Sequence, residues 1–251
     1  MLAVALLMAP PALAASATAA LQFAPPVDVP MVYAMTDRRI VGDRARDFTL
    51  VSRVRFTRVG QGYRMDVTQI GHGTDAPAPV AEMFKTGVGA FDDITTSLFV
   101  AADGQPGAVL DGDQVWARIM ASHRALLDRL EARHGADAPR LAPIRAHLAS
   151  VAAADPAERD RIMGEFAREL LGAALPALSP TGSVTADGSK AHLQASTADT
   201  LTYRMVDMLD QARRERLLTI DRATGLTRRI HSLTRSPSDN IVIAERTISR
   251  R

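Results

Sequence analysis

The sequence predicts an α+β fold, a curved and mostly antiparallel β-sheet, open or half-barrel in form, with a central helical insertion packed on it. Three observations predict it. Apolar and polar residues alternate at period two before residue 70 and again after residue 199. Helix-period apolar patterns fill about 111–176. Short Gly/Asp clusters separate the alternating runs, as turns between antiparallel neighbours do.

The first strand signal, a weak one, is Met31 to Thr36. In the next, Phe48, Leu50, Ser52, Val54 and Phe56 share one face and Thr49, Arg53, Arg55 and Thr57 the other. Gly60-Gln61-Gly62 supplies a turn, because glycine accepts positive φ without steric cost. Tyr63, Met65 and Val67 then alternate with Arg64, Asp66 and Thr68, so 46–70 reads as a hairpin. A polar loop follows, then a short helix over Val80 to Val88 and two strands around Asp103-Gly104-Gln105-Pro106-Gly107. Three helices come next. Asp111 or Asp113 caps the first, which presents Trp116, Ile119, Met120, His123, Leu127 and Leu130 and ends at Gly135. The second covers roughly 139–153, with Leu141, Ile144, Leu148 and Val151 on one side. The third opens on Asp155, Pro156 and Glu158, a capping-box pattern, and buries Ile162, Met163, Phe166, Leu170 and Leu171. Five strands complete the chain, at 190–197, 199–208, 215–221, 226–235 and 240–249, with turns at Ala186-Asp187-Gly188-Ser189 and Asp221 to Gly225.

Bulk composition removes several function classes. A formal charge of +2 without a Lys/Arg run argues against a nucleic-acid binder. The absence of cysteine removes disulfides, thiolate metal sites, thiol nucleophiles and a lipidation box. The stretch Met1 to Ala20 carries no charged side chain. An apolar run, Pro10-Pro11 and then Ala12-Leu13-Ala14 fit a cleaved signal peptide over 1–14. The expected address is therefore the periplasm. Residues 15–30 read as an extended lead-in and 31–251 as a single domain, with no integral membrane segment in the mature chain.

No Gly-x-Ser-x-Gly elbow, phosphate loop or dinucleotide fingerprint is present. The six histidines show no i,i+4 pair, so neither a metal site nor any cofactor is expected. His123 reads as a satisfied core histidine and His72 as a loop residue. The pairs Asp92-Asp93 and Asp111-Gly112-Asp113, and Asp221, read as caps and turns. Two candidate surfaces are left. One is an apolar cavity lining of Phe48, Leu50, Val54, Phe56, Tyr63, Met65, Tyr203 and Met205 on the sheet, with Trp116, Met120 and Phe166 from the helices. The other is the arginine cluster Arg53, Arg55 and Arg64 on the opposite sheet face.

Four segments, Pro25 to Tyr33, Phe48 to Met65, Asp111 to Trp116 and Ile220 to Leu226, resemble envelope proteins of alphaproteobacteria. The last also resembles the strand-turn-strand of the outer-membrane lipoprotein carrier fold. That resemblance implies a curved antiparallel sheet with helices in its concavity and an apolar cavity between them. The expected function is a non-enzymatic periplasmic binding or carrier protein for an apolar or lipid-like ligand. A structural or protein-interaction module of the envelope, meeting an envelope partner, is the alternative. A hydrolase with a dispersed site is the third.

Overall fold

The computed structural model describes residues 21–41, 43–89, 91–171, 183–184, 190–209, 211–235 and 241–250. The expected signal peptide, residues 15–20 of the lead-in, the end of the helical block after 171 and the turn at 186–189 lie outside the described residues.

The protein is α+β, and its strands form one open antiparallel sheet. Along the chain come β1 (Met31–Val41), β2 (Arg44–Val59), β3 (Gly62–Thr74), α1 (Ala78–Gly89), β4 (Thr95–Val100) and β5 (Pro106–Leu110). Next are α2 (Gly112–His134), α3 (Ala142–Ala152) and α4 (Pro156–Leu171). The remaining strands are β6 (Ser183–Val184), β7 (Lys190–Ser196), β8 (Thr200–Leu209), β9 (Ala212–Asp221), β10 (Thr227–Arg235) and β11 (Ile241–Arg250). The strand order is β5-β4-β3-β2-β1-β11-β10-β9-β8-β7-β6. Two meanders therefore meet at a central seam, where β1 pairs with β11 from Met31↔Arg250 to Arg39↔Val242.

Alternation sets which way each strand faces. On β2, Ser52, Val54 and Phe56 are buried while Arg53 and Arg55 are exposed. Register carries that face onto β3 through Val54↔Val67 and Phe56↔Met65, and onto β4 through Met65↔Leu98. The first meander's core joins Val54, Phe56, Met65 and Leu98 to Trp116, Ile119 and Met163 of α2 and α4. The rings of Phe23, Phe56 and Tyr63 meet edge to face, with centroids 5.6 to 6.3 Å apart, the arrangement that aromatic quadrupoles favour.

Local chemistry explains the ends of elements. Gly60 turns the β2–β3 hairpin at φ +56. Asp155 Oδ1 accepts the Glu158 backbone N–H at 2.9 Å and so caps α4. Asp111 sits before α2 in the left-handed region, φ 54, and makes no side-chain capping bond, contrary to the capping role read from sequence. In the β9–β10 turn, Asp221 Oδ1 accepts both the backbone N–H and the hydroxyl of Thr224, at 2.8 and 2.9 Å. Burial opposes the charge of Asp221, but these bonds and the Arg228 guanidinium outweigh it and hold the carboxyl below the usual range. Gly225 follows at φ +66, and a Cβ there would stand 2.5 Å from the Gln22 carbonyl oxygen. The lead-in docks on this turn, with Ala24 N–H donating to the Thr224 carbonyl at 2.8 Å.

Candidate ligand cleft

The helices enclose a partly open cleft of about 560 Å³. Its floor is α2, where Trp116, Ile119, His123 and Leu126 recur at helical spacing. The α3 wall repeats the same logic with Ile144, Leu148 and Val151. Met83 and Gly87 of α1 and Ile162 of α4 complete it, with Phe91 from the α1–β4 loop. Gly87 offers no side chain, and a Cβ added there meets nothing within 4 Å.

A second cleft of about 300 Å³ lies between helices and sheet, lined on the sheet side by Met35, Leu50, Ser52 and Val67. Phe91 and Ile162 line both spaces. The two compartments are thus neighbours across a wall of two apolar side chains.

The residues singled out from sequence fall into four groups. Leu50 and Trp116 line these clefts. Val54, Phe56, Tyr63 and Met65 are at most 4% exposed and form closed core, not cleft wall, and Met120 packs half-buried on the same core. Phe48 meets the Phe84 ring of α1 at 5.1 Å, with the Arg39 guanidinium 5.8 Å over it. Tyr203 and Met205 do not join this set. They belong to a second cluster with Ala191, Leu201, Leu218 and Ile220 on β7, β8 and β9. The sheet is too wide for one face to converge, since β1, β11 and β10 separate β2 from β9. The Phe166 side chain lies outside the described residues.

The arginine face is largely neutralised. Arg55 donates to Asp28 at 2.9 Å, and Arg64 donates to Asp66 at 2.7 Å and to Ser97 at 3.0 Å. Arg53 makes no ion pair among the described residues and sits opposite Thr68. On the other face, Asp37 bridges Arg39 at 2.8 Å and Arg246 at 2.7 Å, joining β1 to β11 across the seam.

Two histidines depart from their sequence reading. His72 lies within β3, not in a loop, and its Nδ1 is 3.2 Å from Asp92 Oδ1, which also accepts from Gln69 Nε2 at 2.7 Å. His123 is buried, 6% exposed, and its Nδ1 has no hydrogen-bond partner among the described residues, so it is not the satisfied histidine expected. Its ring stands edge-on to Phe91 at 5.8 Å. Burial lowers the His123 pKa below the ordinary histidine value, and the nearby positive form of His147 lowers it further. A depressed base is protonated more readily in the unfolded chain. Stability is therefore full above about pH 6.5 and falls as pH drops through the window down to the folded value. The melting temperature should decline between pH 7.5 and 5.5, and His123→Leu should flatten that decline. An unchanged slope in the variant would assign the acid sensitivity to other groups.

Phe91, Ile144, Leu148 and Ile162 belong to the cleft but were not among the sequence candidates. Ile144, Leu148 and Ile162 carry a helix-period signal that reads equally as core, and Phe91 sits in a loop with no periodicity at all. Among the described residues no three His, Cys, Asp or Glu side chains are grouped to hold a metal ion, and no helix is long and apolar enough to cross a membrane. No protein-family model and no curated protein matches the chain.

Proposed function

We propose that this chain is a non-enzymatic binding or carrier protein that holds an apolar or lipid-like ligand among its helices, and that it acts in the periplasm. The observation that carries the reading is the 560 Å³ cleft, whose wall is mostly aliphatic and aromatic and which abuts a second apolar space against the sheet. Its size is that of a small-molecule site, and a few polar groups among apolar ones are the usual composition of such sites. The resemblance of the 220–226 segment to the lipoprotein carrier fold agrees with it, as does the open antiparallel sheet. In this reading the helices between β5 and β6 act as an insertion laid on the first meander, and sheet curvature gives them a concave bed.

The alternative, an envelope interaction module built on Arg53, Arg55 and Arg64, draws less support, because Asp28 and Asp66 already occupy two of the three guanidinium groups.

Mass spectrometry of organic extracts from gently purified protein tests the carrier reading. A stoichiometric apolar molecule should be recovered. Gly87→Phe should fill the open space at α1 and lower its recovery at least tenfold. The same change should leave the melting temperature within a few degrees, since it replaces a helical glycine at which an added Cβ meets nothing within 4 Å. Recovery of no ligand from the wild type, together with no binding of added alkyl probes, would overturn the proposal.

A further inference from the structure

The helical cleft is apolar but not uniformly so. His123 of α2 and His147 of α3 both line it. Nδ1 of His123 is fully buried without a partner among the described residues. A buried polar group left without a hydrogen bond costs free energy, and native interiors seldom keep one unless something else satisfies it. The His123 ring lines a space large enough for a molecule of roughly a dozen carbons. Among the described residues, the charged groups lining the cleft are Glu158 and Arg161 of α4, which pair with each other at 2.7 and 2.8 Å. Glu165 also accepts from Arg161, so that edge presents no free cation. Met83 and Gly87, the lining residues of α1, bring no charge. Among the described lining residues, the groups with hydrogen-bonding capacity to spare are the two imidazoles and the Ser150 hydroxyl.

We propose that the occupant of the helical cleft is a long-chain carboxylate, its alkyl chain against Trp116, Ile119 and Phe91 and its head group bonded by the imidazoles of His123 and His147. This rests on the apolar-ligand reading above and names the class of ligand. A carboxylate accepts from an N–H of each ring, as an alkane or ester head cannot with equal strength. Its negative charge also favours the protonated form of the imidazole it bonds. Acidification in the bound protein thus strengthens the head-group contact, the reverse of its effect on the empty cleft.

The test uses the full chain with laurate and methyl laurate as probes. The protein has one tryptophan. That residue, Trp116, lines the cleft, so its emission reports occupancy directly. Laurate should bind about tenfold more tightly than the ester at pH 7.5, and the ratio should widen at pH 6.0. His123→Leu and His147→Leu, each with its melting temperature checked, should bring the ratio to one while ester affinity holds. His147→Leu guards against misfolding, because His147 is exposed. Equal binding of the two probes by the wild type would overturn the carboxylate assignment and leave the apolar-ligand reading standing. Binding of neither probe would overturn both.

Discussion

Phe56→Ala is expected to destabilise the protein by about 3–5 kcal/mol, the usual cost of deleting a buried aromatic ring. Phe56 is fully buried. Its ring contacts Phe23 at 5.9 Å and Tyr63 at 6.3 Å, edge to face in both cases. Its carbonyl accepts the Asp28 N–H at 2.7 Å, so the lead-in, the hairpin and the core share this one position. Loss of the ring leaves a cavity that two strands and a docked segment cannot close together. Urea unfolding should show the midpoint move with the slope unchanged. A shift worth under about 1 kcal/mol would mean that the lead-in collapses freely into the space, and that it is not a fixed part of the core.

The second large effect belongs to Asp37. Asp37 and Arg246 are both about nine-tenths buried and face each other across the central seam at 2.7 Å. Breaking a buried pair by removing one partner costs about 3–5 kcal/mol, because a charge is left without compensation. Asp37→Ala should lose stability on that scale. Pairing Asp37→Leu with Arg246→Met should recover much of it, since apolar replacement of both partners is often near neutral. Arg39, half-exposed and also bonded to Asp37, should matter little, because water re-solvates it. A double-mutant cycle gives the coupling directly. A double variant as unstable as Asp37→Ala would show that the pair is not what holds the seam.

Much of the sheet was legible because its chemistry is local. Period-two burial on β2 follows the side-chain alternation from Ser52 to Phe56, while Phe48 to Val51 are all half-buried, and the turn at 221–225 follows from Asp, Thr and Gly at the positions that need them. Asp155 and Pro156 likewise announce α4. The strand order was not legible, since nothing local says that β1 pairs with β11. That pairing widens the sheet enough to part Tyr203 and Met205 from Phe56 and Met65, so one expected lining became two clusters. The cleft was half legible. Trp116 and Leu50 were visible as apolar positions on amphipathic elements, but whether such a residue ends up in closed core or at a cavity wall depends on how four helices space themselves. His123 shows the limit best: its place in an apolar stripe predicts burial, and burial alone does not tell that its nitrogen goes unbonded.

The β1–β11 ladder has a consequence for how the molecule assembles. Its contacts join residues more than two hundred positions apart, such as Asp37 and Arg246. Closing so long a loop is the slow, entropically costly kind of event in folding. Until the segment 241–250 is available, the 31–41 strand presents a bare row of amide and carbonyl groups along one side. An unfinished chain is consequently open to pairing with foreign strands, and the final ladder is the step that seals it.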